Sequence, residues 1–472
     1  MPTISSLGVG SGLQSEAIIS ALMGAERKPV DLLAAETTGI KTQLSSVGKL
    51  QSLVSAMRDK AGAIGSLSLW GQTSVTSSDG TIVSGSTTSG AAPGRYSVTV
   101  SQLASAQTVT TATALASSSS ELGDGTLQIE LGTWNGTTFT GKGSPVSITI
   151  GSDDTSLADI RDKINDADAG VTATIVNDAN GARLSIRSDA TGAENGFKIT
   201  ATENVDDNDA TTGLSVLGYD AAVADTPMAL NQAAGNAKAT VNGIAVESKT
   251  NTLSGVADNL TLTLTKTTAS PVEVVVANDN EAVKSAINEF VTAFNELATY
   301  IKDQTKYNAS TKTGGPLQGD RTTIGLQWQL RGVINQGTTA SSTWSRLSEI
   351  GISMKEDGTL TTSTSKLEDA LANPDELRKL LATDGTTTGA SGFMDRFKDL
   401  GNAVLGEDGS LETLQTSLED HIKRNDDRQA QMEDRLTRTE ARIRAQYEAL
   451  DTSMAKLNAL SSYVSQQLAA LG

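Results

Sequence analysis

One histidine, His421, and no cysteine leave this chain few routes to covalent chemistry. A nucleophilic triad or an imidazole-ligated metal needs that ring seated among fixed partners. His421 lies instead in the polar early part of the last predicted helix and reads as a solvated surface residue. The run Gly8-Val9-Gly10-Ser11-Gly12 has the composition of a phosphate cradle but lacks the preceding strand, the spacing and the lysine. It reads as a flexible leader. The acid pairs Asp153/Asp154, Asp166/Asp168 and Asp206/Asp207 are calcium-ligand types, yet none completes the spacing and terminal Glu of a calcium loop. Turn and cap roles suit them better. Two carboxylates brought together from distant positions could hydrolyse a glycoside. Sugar clefts, however, need aromatic platforms, and Trp 4, Tyr 6 and Phe 6 across the whole chain leave few to spare. No catalytic residue, cofactor or metal is expected.

Composition narrows the classes further. At 472 residues the chain exceeds one core, so several domains are expected. Hydrophobic residues make up 37% and aromatics 3%, which implies slim domains with some apolar stripes left for neighbours to cover. A net charge of −18 argues against nucleic acid and against anionic lipid, both of which need a basic surface. No apolar run approaches the roughly 20 residues of a membrane span. The opening residues lack the basic and apolar regions of a cleavable secretory signal. Export would need another route, and the absence of cysteine suits an extracellular chain built without disulfides.

The elements that position these residues fall into two periodicities. Apolar residues at Ile40, Leu44, Val47, Leu50, Val54, Met57, Ala61 and Ile64 step by three and four. So do Val283, Ile287, Phe290, Phe294, Leu297 and Ile301; toward the C-terminus Met432, Leu436, Ile443, Tyr447, Leu450, Met454, Leu457, Leu460, Val464, Leu468 and Leu471 recur at spacings of three, four or once seven. These are coiled-coil-like helical stripes. An earlier amphipathic piece carries Ile18, Ile19, Leu22 and Met23. Pro29 is expected to interrupt it, with Lys28 biased away from helix. From Thr73 to Val276 the pattern alternates with period two, the strand signature. Within it Ser156 should cap a short helix, Asn242-Gly243 should turn a hairpin, and the acid-rich Glu203–Asp225 stretch reads as a solvated loop or weak edge. Helices are expected near Arg321–Asn335, Pro374–Leu381 and Phe393–Leu400, and from Ser410 to the end. The fold class is therefore multidomain α+β, an antiparallel coiled-coil or helical-bundle stalk from both termini carrying two inserted β-rich head domains. Leu44, Val47, Val54, Ile287, Phe290, Phe294, Leu297 and Ile301 would form the stalk seam. The unpartnered stripe Leu450, Met454, Leu457, Leu460, Val464 and Leu468, with Leu13, Ile18 and Leu22, would contact other subunits.

Several segments resemble one family. SSLGVGSGLQSEAIISALMGAERKPVDLL near the start and TSSDGTIVSGSTTSGAAPGRYSVTVSQLASAQ at 76–107 are similar to the N-terminal region of flagellar filament cap proteins, the hook-associated protein 2 family. Residues 155–199 resemble the IN motif shared by flagellin and hook-associated proteins. AKATVNGIAVESKTNTLSGVADNLTLTL, NEFVTAFNELATYI, GPLQGD and IGISMKEDGTL follow the family's C-terminal order. Gln14 departs from the family, which commonly has Asp there, with a helix cap as the expected consequence. The expected division is a filament-binding, partly disordered segment over 1–39 and a stalk helix over 40–72. A first β head would come from 73–110 with 230–279, and a second, carrying the IN-like motif, from 111–229. A helical leg over 280–412 and a coiled-coil helix over 413–472 would complete the chain.

The resemblance implies an extracellular, non-enzymatic cap at the flagellar tip, exported unfolded through the type III apparatus with the help of an export chaperone. It would form a ring of its own copies, five expected and four or six geometrically open, and promote insertion and folding of flagellin. A second class is a tip-exposed adhesin that binds through the β-rich head. A hydrolase would need a cleft and a reactive constellation that no part of the sequence supplies.

Overall fold

The computed structural model describes residues 14–471. Two compact units make up the chain, a helical one from the segments ending at Leu69 and starting at Asn280, and a β-rich one over Trp70–Asp279. Helix and sheet are thus mixed as expected, with β-rich sequence inserted between helical ends.

Helix α1 (Ser15–Gly65) is longer than the sequence suggests, because Pro29 does not divide it. An interior proline removes one N–H and crowds the carbonyl four residues back, at a typical cost of about 3 kcal/mol. Pro29 and Ala25 both face solvent here, so water reaches the freed carbonyl. Ile19, Val30 and Leu33 are buried on either side of the proline, and their packing keeps the two halves in line. The break at Pro29, the bias assigned to Lys28 and the boundary between residues 39 and 40 are corrected accordingly. A four-residue helix, α2 (Leu67–Trp70), follows.

The β-rich unit begins with β1 (Thr73–Ser77), β2 (Val83–Thr87), β3 (Gly94–Gln102), β4 (Thr108–Thr111), β5 (Gly125–Asn135), β6 (Thr138–Gly141) and β7 (Val146–Ile150). Helix α3 (Leu157–Asp166) precedes β8 (Val171–Asp178), β9 (Gly181–Ser188), β10 (Gly196–Glu203), β11 (Met228–Gln232), β12 (Ala237–Val241), β13 (Ile244–Ser248), β14 (Thr252–Ala257), β15 (Leu260–Leu264) and β16 (Val272–Asn278). Two hydrophobic cores form. One lies between the five-stranded sheet β1-β16-β3-β12-β13 and the three-stranded sheet β14-β15-β2, with Val83, Val98, Leu262 and Val274 at its centre. The other gathers β10-β5-β6 with β7, β11-β4-β9-β8 and α3 around Leu127, Ile160, Ile186 and Phe197. Val109 packs in this second core and β11 pairs with β4, so both belong with the second group of strands rather than the first. The segment Thr191–Ala193 joins the two. Thr191 donates to the Lys249 carbonyl at 2.8 Å, and the Ala193 N–H donates to Asn236 Oδ1 at 2.8 Å.

Local chemistry explains the turns. Asn242 and Gly243 take φ of 50° and 81° between β12 and β13, the left-handed pair that a two-residue hairpin of this twist requires. Ser156 accepts from the Asp159 N–H and starts α3, whose Leu157, Ile160 and Ile164 are buried. The acid-rich stretch departs from its reading as solvated loop. Its carboxylates are exposed around Val205, but Leu214, Leu217 and Tyr219 turn inward, and Tyr219 pairs with Ile199 of β10. Three apolar residues were enough to draw a charged segment into the core.

The helical unit resumes with α4 (Asn280–Thr305), the small hairpin β17 (Tyr307–Asn308) and β18 (Thr313–Gly314), and α5 (Arg321–Asn335). The pair β19 (Ile352–Met354) and β20 (Leu360–Thr362) leads to α6 (Thr364–Leu371), α7 (Pro374–Ala382), α8 (Phe393–Leu405) and α9 (Ser410–Leu471). Phe290, Phe294 and Phe397 meet with ring centroids 5.1–6.3 Å apart, an aromatic knot at the centre of this unit. Helix α8 runs past its expected end because Gly401 is a packing residue and not a stop. A Cβ there would lie 2.7 Å from Arg58 Cβ, so glycine lets α8 approach α1 closely.

Candidate assembly surface

The polar residues singled out in the sequence that are described lie at the surface or in turns. His421 is exposed on α9. Asp154 is paired with Lys163 at 2.9 Å, and Asp168 sits in a left-handed turn at φ 48°. Glu203, Asp206 and Asp207 place carboxylate oxygens near one another, but they serve their own loop. Glu203 accepts from the Ser215 N–H, Asp206 from the Asn208 N–H, and Asp207 from the Asp209 N–H and the Thr212 hydroxyl. Gly8–Gly12 and Leu13 lie outside the described residues.

What the helical unit does present is an antiparallel pairing of α1 with α9. Glu16 meets Arg444 at 2.6 Å, Arg27 meets Glu433 at 2.8 Å, and Gln51 donates to Glu412 at 3.4 Å. As residue numbers rise along α1 they fall along α9, which defines direction and register. The ion pairs are more than a third exposed, so solvent screens them and they mainly set alignment. Arg444 also reaches Glu440 at 3.0 Å, and its hydrogen bond to Glu16 raises its already high pKa. Between these clamps Ile19 and Leu436 are buried. Gln14 occupies the N-cap of α1 and makes no side-chain cap bond, so the departure at this position does leave that helix end uncapped by its own side chain.

Antiparallel α4 lies on another face of α1. Lys60 meets Glu289 at 2.6 Å, and the Tyr300 hydroxyl donates to the Ser46 carbonyl at 3.1 Å. Val47, Val54, Ile287, Phe290, Phe294, Leu297 and Ile301 are all buried, while Leu44 is only half-buried. These seam residues are core.

The stripe near the C-terminus behaves differently. Arg444 pairs close to the first described turn of α1, and α9 then continues to Leu471, about 40 Å further at 1.5 Å per residue. Along that extension Leu450 is 43% exposed, Leu457 58%, Leu460 59%, Val464 48% and Leu468 67%. Met454 is half-buried. From Leu457 to Leu471 there is no Asp, Glu, Lys or Arg. On α1, Ile18 and Leu22 are likewise exposed, at 37% and 43%. The structure thus separates two kinds of heptad stripe that look alike in sequence. The residues that align α1 with α9 (Glu16, Arg27, Glu433 and Arg444) were not singled out, because their partners are about 400 positions away and carry no local signal.

Comparison with known proteins follows this geometry. Residues 11–107 match the family model of the flagellar hook-associated protein 2 N-terminus and residues 234–459 that of its C-terminus. Residues 136–190 match the flagellin hook IN motif, somewhat earlier than the 155–199 read from sequence. A flagellar hook-associated protein 2 of Escherichia coli strain K12 is 33% identical over 99% of this chain and 98% of that protein. One from Salmonella typhimurium is 32% identical over 100% of this chain and 99% of that protein. The crystal structure of the D1-D2-D3 domains of the flagellar cap protein FliD from Escherichia coli superposes with a TM-score of 0.58 at 31% identity. It covers 79% of this chain and 99% of that one. None of these relatives is named as an adhesin.

Proposed function

We propose, for a chain that belongs to the flagellar hook-associated protein 2 family, that it is the structural cap at the distal end of the bacterial flagellar filament. Its copies form a ring, and exported flagellin folds and inserts beneath them. The observation that carries this reading is the exposed apolar stripe of α9, Leu450 to Leu468, together with Ile18 and Leu22 of α1. A monomer has no reason to keep a row of leucines on a helix in water. A subunit whose leg must grip a growing end does.

The mechanism needs no bond-making. Each leg contributes a modest apolar contact, and a ring multiplies these because all legs are tethered to one plate. One leg can release while the others hold, which lets the cap step as each flagellin adds. Five copies are expected, with four or six also open because small changes in packing angle alter closure. The ring would sit outside the cell. Delivery would run through the flagellar type III apparatus with the help of an export chaperone. Among the described residues no helix is long and apolar enough to cross a membrane. The two cores of the β-rich unit would serve as the two heads of the plate, without catalysis.

Ending the chain at Tyr447 tests the assignment, because it removes the exposed stripe and spares the Glu16–Arg444 clamp. The shortened protein should fold with an unchanged thermal midpoint and fail to cap. Filaments of normal length in cells carrying only this version would refute it.

A further inference from the structure

Within the β-rich unit, beside the segment that joins its two cores, lies a pocket of about 210 Å³. Trp134, Ala193, Tyr219, Ala221, Leu230 and Ala234 form its apolar walls, and no charged side chain lines it among the described residues. Most of that apolar surface is still uncovered. Leu230 is 48% exposed, and Trp134, Ala193, Ala221 and Ala234 are half-buried. Tyr219 is 3% exposed, with its ring edge-on to Trp134 at 6.1 Å, yet its hydroxyl makes no hydrogen bond among the described residues. The pocket thus offers apolar contact and one unused polar group, and it suits a neutral side chain that brings a peptide group with it.

The other large apolar side chains exposed on this unit are Val176, Val205, Val223 and Ile244. Val205 precedes Asp206 and Asp207, Val223 stands between Asp220 and Asp225, and Val176 lies opposite Arg183. Each would carry a charge toward a pocket with nothing to pair it, at a desolvation cost. Ile244 would not. It is 70% exposed, and no residue from Ala239 to Val246 is charged. It follows the slim Asn242-Gly243 turn, where Asn242 Oδ1 accepts from the Ser97 N–H at 2.8 Å and holds the tip in place, so docking needs little further ordering.

We propose that Ile244, at the β12–β13 turn of one copy, docks into the Trp134/Tyr219/Leu230 pocket of a second copy. The contact cannot be made within one chain. Ala234 lines the pocket at one end of the pairing that runs from Gly235–Ser105 to Val241–Val98, and Ile244 pairs with Val241 at the other, about 20 Å away. Opposite ends of one unit meet, so the contact is heterologous, of the head-to-tail kind that generates rings. The inference rests on the self-association proposed above and adds a surface that carries it.

The absence of cysteine makes the test direct. Full-length Ala245→Cys and Ala233→Cys chains, tagged to differ in size, are mixed, assembled and treated with a short bis-maleimide, and the mass of the assembly is measured in parallel. Both positions are exposed, so neither change should disturb folding, and Ile244→Cys with Ala234→Cys supplies a second pair. The expected result is a mixed-size cross-linked pair that appears only when both variants are present. Adding Ile244→Asp to the Ala245→Cys chain should weaken the contact roughly tenfold, and an unchanged yield would overturn the docking. Assembly without the mixed pair would overturn it and leave the cap reading standing. Self-linkage of Ala245→Cys without the mixed pair would overturn it by placing tip against tip. Intramolecular linkage in an Ala233→Cys/Ala245→Cys chain, with no mixed pair, would overturn it by placing the contact within one chain. A monomer with no mixed pair would overturn the docking, and capping by the Tyr447-terminated chain would then judge the wider reading.

Discussion

Replacing Leu457, Leu460, Val464 and Leu468 together by serine separates assembly from folding. Full burial of a leucine or valine contributes about 2 kcal/mol. These four are about half to two-thirds exposed, so together they offer roughly 5 kcal/mol to whatever covers them. At about 1.4 kcal/mol per decade, losing that contact weakens the hold of one leg by more than roughly three decades. The monomer loses much less. Serine is a poorer helix former than leucine by a few tenths of a kcal/mol per site, and the effect stays at the helix end. Circular dichroism of the purified full chain should therefore give an unchanged main unfolding transition. Filament length, measured by electron microscopy of cells carrying only the variant, should collapse. A fall of many degrees in the main transition would mean that the stripe already belongs to the folded core. Normal filaments with an intact fold would mean that the cap is held by something else.

Gln14→Asp should stabilise the start of α1 by about 0.5–1 kcal/mol, because aspartate can accept from the free N–H groups that glutamine leaves without a side-chain cap; slower hydrogen exchange in the first turn would register it, and no change would refute it. Gly192→Ala should destabilise the β-rich unit by about 1–3 kcal/mol, since φ is +107° and the new Cβ would lie 2.9 Å from the Lys249 carbonyl oxygen. Exchange should rise around Phe197 and Val98 and stay unchanged around Phe290, and equal effects in both places would count against it. Glu376 accepts from Lys379, from the Ser341 hydroxyl and from the Ser342 N–H, which lower its pKa from an ordinary 4.5 to about 2. A depressed carboxylate stabilises the fold above its unfolded value and loses that contribution as pH falls through its folded one. The thermal midpoint of Glu376→Gln should therefore trail the parent near neutral pH and converge with it by about pH 2, whereas a constant gap would refute the assignment.

Much of the fold was legible in short-range pattern. The α4 seam from Val283 to Ile301, the Asn242-Gly243 hairpin and the Ser156 cap each depend on residues within a turn or two of one another, and each formed as read. Misreadings came where a distant neighbour overrode a local preference. Pro29 continues a helix because apolar residues on either side of it are buried, Gly401 continues another because α1 needs the space, and Leu214–Tyr219 enters a core despite its acidic surroundings.

For the assembly surface the division is similar. Periodicity alone determined that residues 40–64, residues 283–301 and the C-terminal stretch would be helices with apolar stripes. Only tertiary structure decided which stripes were already satisfied. Val47 and Phe294 vanish into the helical unit, while Leu457 and Leu468, spaced in the same way, stay in water. The reason is physical: a three-four repeat records that a helix has an apolar face, and burial depends on where the partner helix runs. That was set by side chains such as Glu16 and Arg444, 428 positions apart, which no local pattern connects.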